Sequence, residues 1–133
     1  MVEDDAALPH LQIGEVSART ELSIKTIRHY DDVGLVEPSA RSAGGFRLYT
    51  TDDVHRLLVI RRMKPLGFAL EEMRELLVAL ETLRTPTASA RQRTEATTWI
   101  AECHTRAQQA CVTLARQLAY AHELTDQLAS YAG

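Results

Sequence analysis

A chain of 133 residues has room for one ordinary domain, or for a small domain and a long helix, and excludes any large enzyme architecture. Aromatic residues make up 5%, too few to furnish a sandwich or barrel, and the plentiful Ala, Leu, Arg and Glu point to a mostly α protein. The net charge of −3 excludes a uniformly basic protein, yet it is unevenly spread: residues 11–68 carry nine Lys or Arg against seven Asp or Glu, and residues 69–133 six against eight. DNA affinity depends on which phosphates meet a basic face, so this balance permits DNA binding without arguing for it.

Two cysteines and no basic-then-apolar leader argue against a disulfide framework and against export. No apolar run approaches the roughly 18 residues of a membrane span. A cytoplasmic protein with reduced thiols and no membrane partner is expected.

Residues 1–10 are acidic and short of large apolar side chains, which predicts a flexible arm. From Leu11 to Leu22 the residues Leu11, Ile13, Val16, Ala18 and Leu22 recur at helical spacing, predicting a first helix of about two turns that ends near Thr20. Ser23 can cap the N–H of Thr26 and open a second helix, with Lys25, Arg28 and His29 on its outward arc. Two short helices this close make a helix-turn-helix candidate.

Asp32-Val33-Gly34-Leu35-Val36 reads as a helix stop, with Gly34 free to take the left-handed conformation. Gly44-Gly45, between Arg41 and the alternating run Phe46-Arg47-Leu48-Tyr49, signals a hairpin, and this is the only sheet expected. Thr51 is expected to cap a third helix whose first turn holds Asp52 and Asp53; Pro65 closes it and Gly67 ends it. Leu70 to Leu83 forms a fourth helix with Leu70, Met73, Leu76, Leu77 and Leu80 along one stripe.

Thr85-Pro86-Thr87 is the one clear boundary, with Thr85 as cap and Pro86 at the first helical position. With Ile100 at heptad position a, the residues Ile100, Ala107, Leu114, Ala121 and Leu128 fall at a, and Cys103, Ala110, Gln117, Leu124 and Tyr131 at d. A helix from Pro86 to Ala132 would be roughly 70 Å long. Such an apolar seam needs a second chain, so a coiled-coil homodimer is expected, with residues 11–83 as one domain and 84–133 as the dimerisation helix.

Ile13-Gly14-Glu15-Val16-Ser17, Ser23 to Asp31, Gly34-Leu35, Gly45-Phe46-Arg47-Leu48-Tyr49 and Leu66-Gly67-Phe68 together resemble the MerR family of bacterial transcription regulators. The likeness runs from residue 11 to about 83 in one register; residues 84–133 match only in kind, as a long helix paired antiparallel in the dimer. The resemblance implies a winged helix-turn-helix that binds a near-palindromic promoter operator as a homodimer, distorts promoter DNA and thereby reaches RNA polymerase indirectly, on the nucleoid. It implies that Lys25, Thr26, Arg28, His29 and Tyr30 face DNA, and that Arg41, Arg47 and Tyr49 serve the wing. Arg28 has the planar fork for guanine or phosphate, Lys25 is a point charge for phosphate, and Thr26 can touch a thymine methyl. Arg61 and Lys64 are candidates for flanking phosphates, although a basic helix end is equally explained by the helix dipole. The family usually has two tyrosines where this chain has His29-Tyr30; a His29 that met a phosphate would make affinity depend on pH near neutrality.

Other readings bear on single residues. Cys103 and Cys111 lie about 12 Å apart along one helix, too far for one ion, so no metal and no cofactor is expected; they are read as seam cysteines, with a disulfide across an antiparallel pair left open. Trp99 is read as packing between the dimer helix and the winged domain. No nucleophile–base pair, carboxylate pair or phosphate-cradling loop suggests an enzyme. The alternatives are an architectural or recombination-type DNA-bending protein on the same winged module, or a protein-interaction module that has lost DNA binding.

Overall fold

The computed structural model describes residues 10–133, so the arm expected at 1–10 lies, except for His10, outside the described residues. The elements follow in the order β1 (Leu11–Gln12), α1 (Ile13–Thr20), α2 (Ile24–Asp32), β2 (Ala40–Arg41), β3 (Arg47–Tyr49), α3 (Thr51–Met63), a 3-10 turn (Lys64–Leu66), α4 (Leu70–Arg84) and α5 (Ala90–Ala132). The protein is mostly α, as expected. Its residues divide into two compact units, one ending at Val78 and the other running Ala79–Gly133, with the boundary inside α4.

The first unit is built on the helical periods of α1 to α3. Val16 of α1, Ile27 and Tyr30 of α2, and Leu57 and Ile60 of α3 are all buried. Ser23 caps α2 as its position predicts, its hydroxyl accepting from Thr26 N at 3.0 Å. Gly34 follows the helix at φ 72°, the left-handed region that costs a glycine little.

The sheet is larger than the expected hairpin. β3 is its central strand, paired antiparallel with β2 through Ala40 opposite Leu48 and Arg41 opposite Arg47, and with β1 through Leu11 opposite Tyr49. Leu11 and Gln12 are therefore not the first turn of a helix. They satisfy the outer edge of β3 before the chain turns into α1 at Ile13, and His10 N extends the pairing to Tyr49 O at 3.3 Å.

Two helix starts differ from expectation for one reason. α3 is capped by Thr50, not Thr51: Thr50 Oγ1 accepts from Asp53 N, and the Asp53 carboxylate accepts in return from Thr50 N. This reciprocal box needs an acceptor three residues after the cap, which Asp53 supplies to Thr50, whereas Thr51 would find Val54. Likewise α5 is capped by Ser89 with Gln92 at 2.8 and 3.0 Å, not by Thr85 with Pro86 in the first turn. Three residues beyond Thr85 stands Ala88, and the Thr85 hydroxyl instead donates to Glu81 O, closing α4.

Asp53 does more than cap. Its Oδ2 also accepts from Ser39 N at 3.2 Å and Ser39 Oγ at 2.7 Å, and its Oδ1 pairs with Arg56, although the residue is 0% exposed. One buried carboxylate thus holds Ser39, just before β2, and Thr50, just after β3.

In the second unit α5 is 43 residues long, about 65 Å at 1.5 Å per residue. Ala96 and Cys103 are buried and Trp99 is half-buried, while every residue from Cys111 onward is exposed in the single chain. No helix among the described residues is long and apolar enough to cross a membrane.

Replacing Asp53 with Ala strips the buried Thr50 N–H and both Ser39 donors of their acceptor. It is expected to lower unfolding free energy by on the order of 3 kcal/mol, measured by urea denaturation; a loss below about 0.5 kcal/mol would contradict this role for the carboxylate.

Candidate nucleic-acid interface

The outward arc of α2 follows from a turn of 100° per residue. Lys25, Arg28, His29 and Asp32 fall within about a quarter of the circumference, and all four are exposed. Ile27 and Tyr30 point the other way. Thr26 sits at the edge of the arc, half-buried, its hydroxyl accepting from Ser23 Oγ at 2.9 Å. His29 leaves its ring on the surface, 6.0 Å from the Tyr30 ring and tilted by 45°.

Tyr30 cannot share that surface. It lies one helical step from Ile27 and is 3% exposed, so its expected place against DNA is corrected to one in the core. Two consecutive helical residues diverge by about 100°, and in the His29-Tyr30 pair only the first faces out. Lys64, also exposed, has Nζ 6.0 Å from the Tyr30 ring, at the outer limit of a cation–π contact.

Beside α2 stands the hairpin of β2 and β3. Its loop is closed by Ser42 N donating to Phe46 O at 2.8 Å and Gly45 N to Ser42 O at 2.9 Å. Gly45 takes φ 84°, a conformation strained for any side chain. Phe46 projects from this loop at 65% exposure, flanked by Arg41 and Arg47, which face each other across the strands. An exposed aromatic between two arginines is a surface suited to sugar and base faces as well as to phosphates. Phe46 was missed as a site residue, because the alternation Phe46-Arg47-Leu48-Tyr49 identifies the strand and says nothing of where its loop points.

The arginines are not free. Asp31, at the inner side of the C-terminal turn of α2, accepts at Oδ2 from Arg47 Nε at 2.7 Å and from Arg41 Nη2 at 3.1 Å. Arg47 Nη2 lies a further 3.9 Å from Asp32 Oδ1. The hydrogen bond and charge of Asp31 raise the Arg47 guanidinium above its ordinary value, against the opposing effect of burial. Asp31 was also missed, though a signal was present: an acidic residue in the last turn of a helix opposes the dipole and calls for a compensating partner.

Tyr49 is corrected as well. It is 0% exposed, lying directly opposite the buried Leu11 of β1, so that this cross-strand pair faces the core. Burial pushes its hydroxyl up to about 12, with the charge of Asp31 second, and that hydroxyl finds no hydrogen-bonding partner among the described residues.

Arg61 is turned inward too. Its Nη1 donates to Thr20 O at 2.7 Å, at the C-terminal end of α1, and lies 3.8 Å from Glu21. Arg74 of α4 does the same for α2, donating to Gly34 O at 2.6 Å and Val33 O at 3.1 Å. Both place a cation at a helix C-terminus, where it satisfies orphan carbonyls and complements the dipole.

Along α5, Ile100, Ala107 and Ala110 are half-buried and Cys103 is buried, while Leu114, Ala121, Leu124 and Leu128 are exposed. Leu118 and Cys111, exposed as well, extend the same stripe at the next heptad position. No group of three or more His, Cys, Asp or Glu among the described residues is arranged to hold a metal.

A helix-turn-helix followed by a small hairpin and further helices defines the winged helix-turn-helix class. Residues 11–80 match the family model described as MerR HTH family regulatory protein, and residues 54–130 the model described as MerR, DNA binding. The chain therefore belongs to the MerR family. The HTH-type transcriptional regulator HmrR of Rhizobium leguminosarum bv. viciae is 46% identical over 71 residues, which are 53% of this chain and 54% of HmrR. ZntR of Escherichia coli K12 is 47% identical over 66 residues, 50% of this chain and 47% of ZntR. The matched region thus spans about half the length of these relatives, which are transcription regulators and not enzymes. A MerR-family transcriptional regulator from Bacillus cereus, solved by crystallography, superposes with a TM-score of 0.56 at 27% identity over 86% of this chain and 75% of its own.

The buried Tyr49 hydroxyl yields a test of the corrected assignment. Tyr49→Phe is expected to leave stability at neutral pH within about 1 kcal/mol and binding to DNA unchanged. Because the folded protein holds the phenol proton to about pH 12 while the unfolded chain releases it near pH 10, wild-type stability falls as pH rises between those values and the variant's falls less. Equal alkaline losses in the two proteins would refute the buried assignment, as would weaker DNA binding by the variant.

Proposed function

We propose that this chain is a sequence-specific DNA-binding transcription regulator that acts as a homodimer. The observation carrying the reading is the exposed arc of Lys25, Arg28 and His29 on a capped helix beside a wing that presents Arg41, Phe46 and Arg47. An arc of this width fits a major groove, and the wing offers cations to the backbone alongside. Thr26 contributes a methyl at the arc's edge. Lys64 lies exposed beyond the arc and is available to a flanking phosphate, whereas the Arg61 guanidinium is engaged by Thr20 O and Glu21 at the end of α1.

Residues 11–83 form the DNA-binding domain in this reading and residues 84–133 the dimerisation helix. The exposed stripe of Leu114, Leu118, Leu124 and Leu128 is the kind of contiguous apolar surface that a second copy covers, and an antiparallel pair places two recognition helices about a two-fold axis, matching a near-palindromic operator. Binding two half-sites through helix and wing favours a deformed promoter, through which RNA polymerase is reached indirectly on the nucleoid. MerR membership supports this over an architectural role or a lost DNA function.

Duplexes selected by the full chain from a random pool should converge on a two-fold symmetric site, bound with a salt-sensitive affinity. Arg28→Ala should relax the preference at one position per half-site by about 1–3 kcal/mol, and Lys25→Ala should weaken all duplexes alike while flattening the salt slope. No convergence and no salt-sensitive binding would refute the proposal. Separately, Leu118→Glu should shift the chain from dimer to monomer in sedimentation velocity; a chain that is already monomeric, or a variant that remains dimeric, would overturn the seam.

A further inference from the structure

We propose that Asp31 is a positioning residue of the DNA interface, acting through Arg41 and Arg47; the inference rests on the reading of the chain as a DNA-binding protein. A carboxylate in this place should be harmful twice over. It opposes the dipole at the end of α2, and it adds negative charge to a face that meets phosphates. Yet it is nearly covered, with its side chain 10% exposed, and both wing arginines converge on one oxygen, Arg47 Nε at 2.7 Å and Arg41 Nη2 at 3.1 Å.

The geometry of the bonds leaves the arginines usable. Each guanidinium has five N–H donors, and Asp31 takes one from each. Arg47 is engaged by its Nε edge, which holds the side chain in a single orientation while most of its fork is left over. Without Asp31, two long side chains carrying several rotatable bonds each would have to be ordered when DNA binds. With it, the wing and α2 present their cations in one arrangement before the encounter. Asp31 also ties together two elements distant in sequence, so the spacing between the helix arc and the wing depends on it.

This gives a sign that simple electrostatics does not. Removing an acid from a phosphate-facing surface should strengthen binding and steepen its salt dependence, because two arginines are released to phosphates. If Asp31 positions them, removal weakens binding at every salt concentration and leaves the salt slope no steeper.

The experiment is a double-mutant cycle read by fluorescence anisotropy on the duplex that the wild-type chain itself selects, over a series of salt concentrations. Asp31→Asn is expected to weaken binding about tenfold in the wild-type background and less than about twofold in an Arg41→Gln/Arg47→Gln background. Equal or tighter binding by Asp31→Asn, with a steeper salt slope, would show a competitor for the arginines and overturn the proposal. An equal loss in both backgrounds would show a purely structural residue and overturn it too. Should Asp31→Asn not fold by circular dichroism, the same cycle is run with Asp31→Glu, which keeps the charge and displaces it by one methylene; the loss is again expected only where the arginines are present, and its absence or its equality in both backgrounds overturns the inference. Failure of the underlying reading is distinguishable, since the wild-type chain would then select no duplex at all.

Discussion

The wing is only a few residues of strand, and two-stranded hairpins of that size have little stability of their own. What makes it a defined surface is the buried carboxylate of Asp53, which accepts from Ser39 at one root of the hairpin and from Thr50 at the other. Because Asp53 also belongs to the first turn of α3, the hairpin is fastened to the helix that packs Leu57 and Ile60 into the core. The favourable dipole at that helix N-terminus and three donors from the chain compensate the desolvation of the charge. Moving the charge elsewhere in the turn would lose both roots at once. The outer edge of β3 is closed by Leu11–Gln12, so the wing's central strand is bonded on both sides.

Basic residues in the first unit then divide by what they bond. Arg61 and Arg74 face the carbonyl ends of α1 and α2, and Arg56 is paired with Asp53. These are fold-stabilising cations, and counting them toward a DNA-binding charge overstates the face. Lys25, Arg28 and Lys64 stay exposed. A modest local excess of positive charge is enough for recognition if the remaining cations are held on one surface, which is why a negative total is compatible with an interface to phosphates.

Much of this was legible in the sequence where the determinants are local. Ser23 three residues before Thr26, a glycine at position 34 after the apolar period ends, and Gly45 in a hairpin loop each specify their conformation within a few residues, and each is found as read. The mostly helical fold and the family membership followed from several such signals in one register. What was not legible depends on partners far along the chain. Two residues, Leu11 and Gln12, carry no period of their own and become a strand only because β3 lies beside them. Tyr30 and Tyr49 look like surface aromatics in a motif, yet Tyr30 falls on the buried side of α2 with Ile27, and Tyr49 lies opposite the buried Leu11 of β1. Thr51 and Thr85 are different in kind: the determinant there is local, since an acceptor three residues on stands after Thr50 and Ser89 and outweighs the nearer threonine.

The long helix α5 follows a different logic from the winged unit. Its upper part, through Cys103, Ala107 and Ala110, is wholly or partly covered within the single chain, whereas the last two dozen residues expose Leu114, Leu118, Leu124 and Leu128 along one arc with the small Ala121 between them. An isolated helix of this length draws little stability from propensity alone, and an uncovered leucine stripe adds a cost in water. Alanine at heptad positions lets a partner backbone come close, while leucines on either side supply the buried area. Cys111 and Leu118, both exposed, widen the stripe by one heptad position beyond the a and d residues. Exposure of Cys111 and burial of Cys103 give the two thiols different environments within one chain.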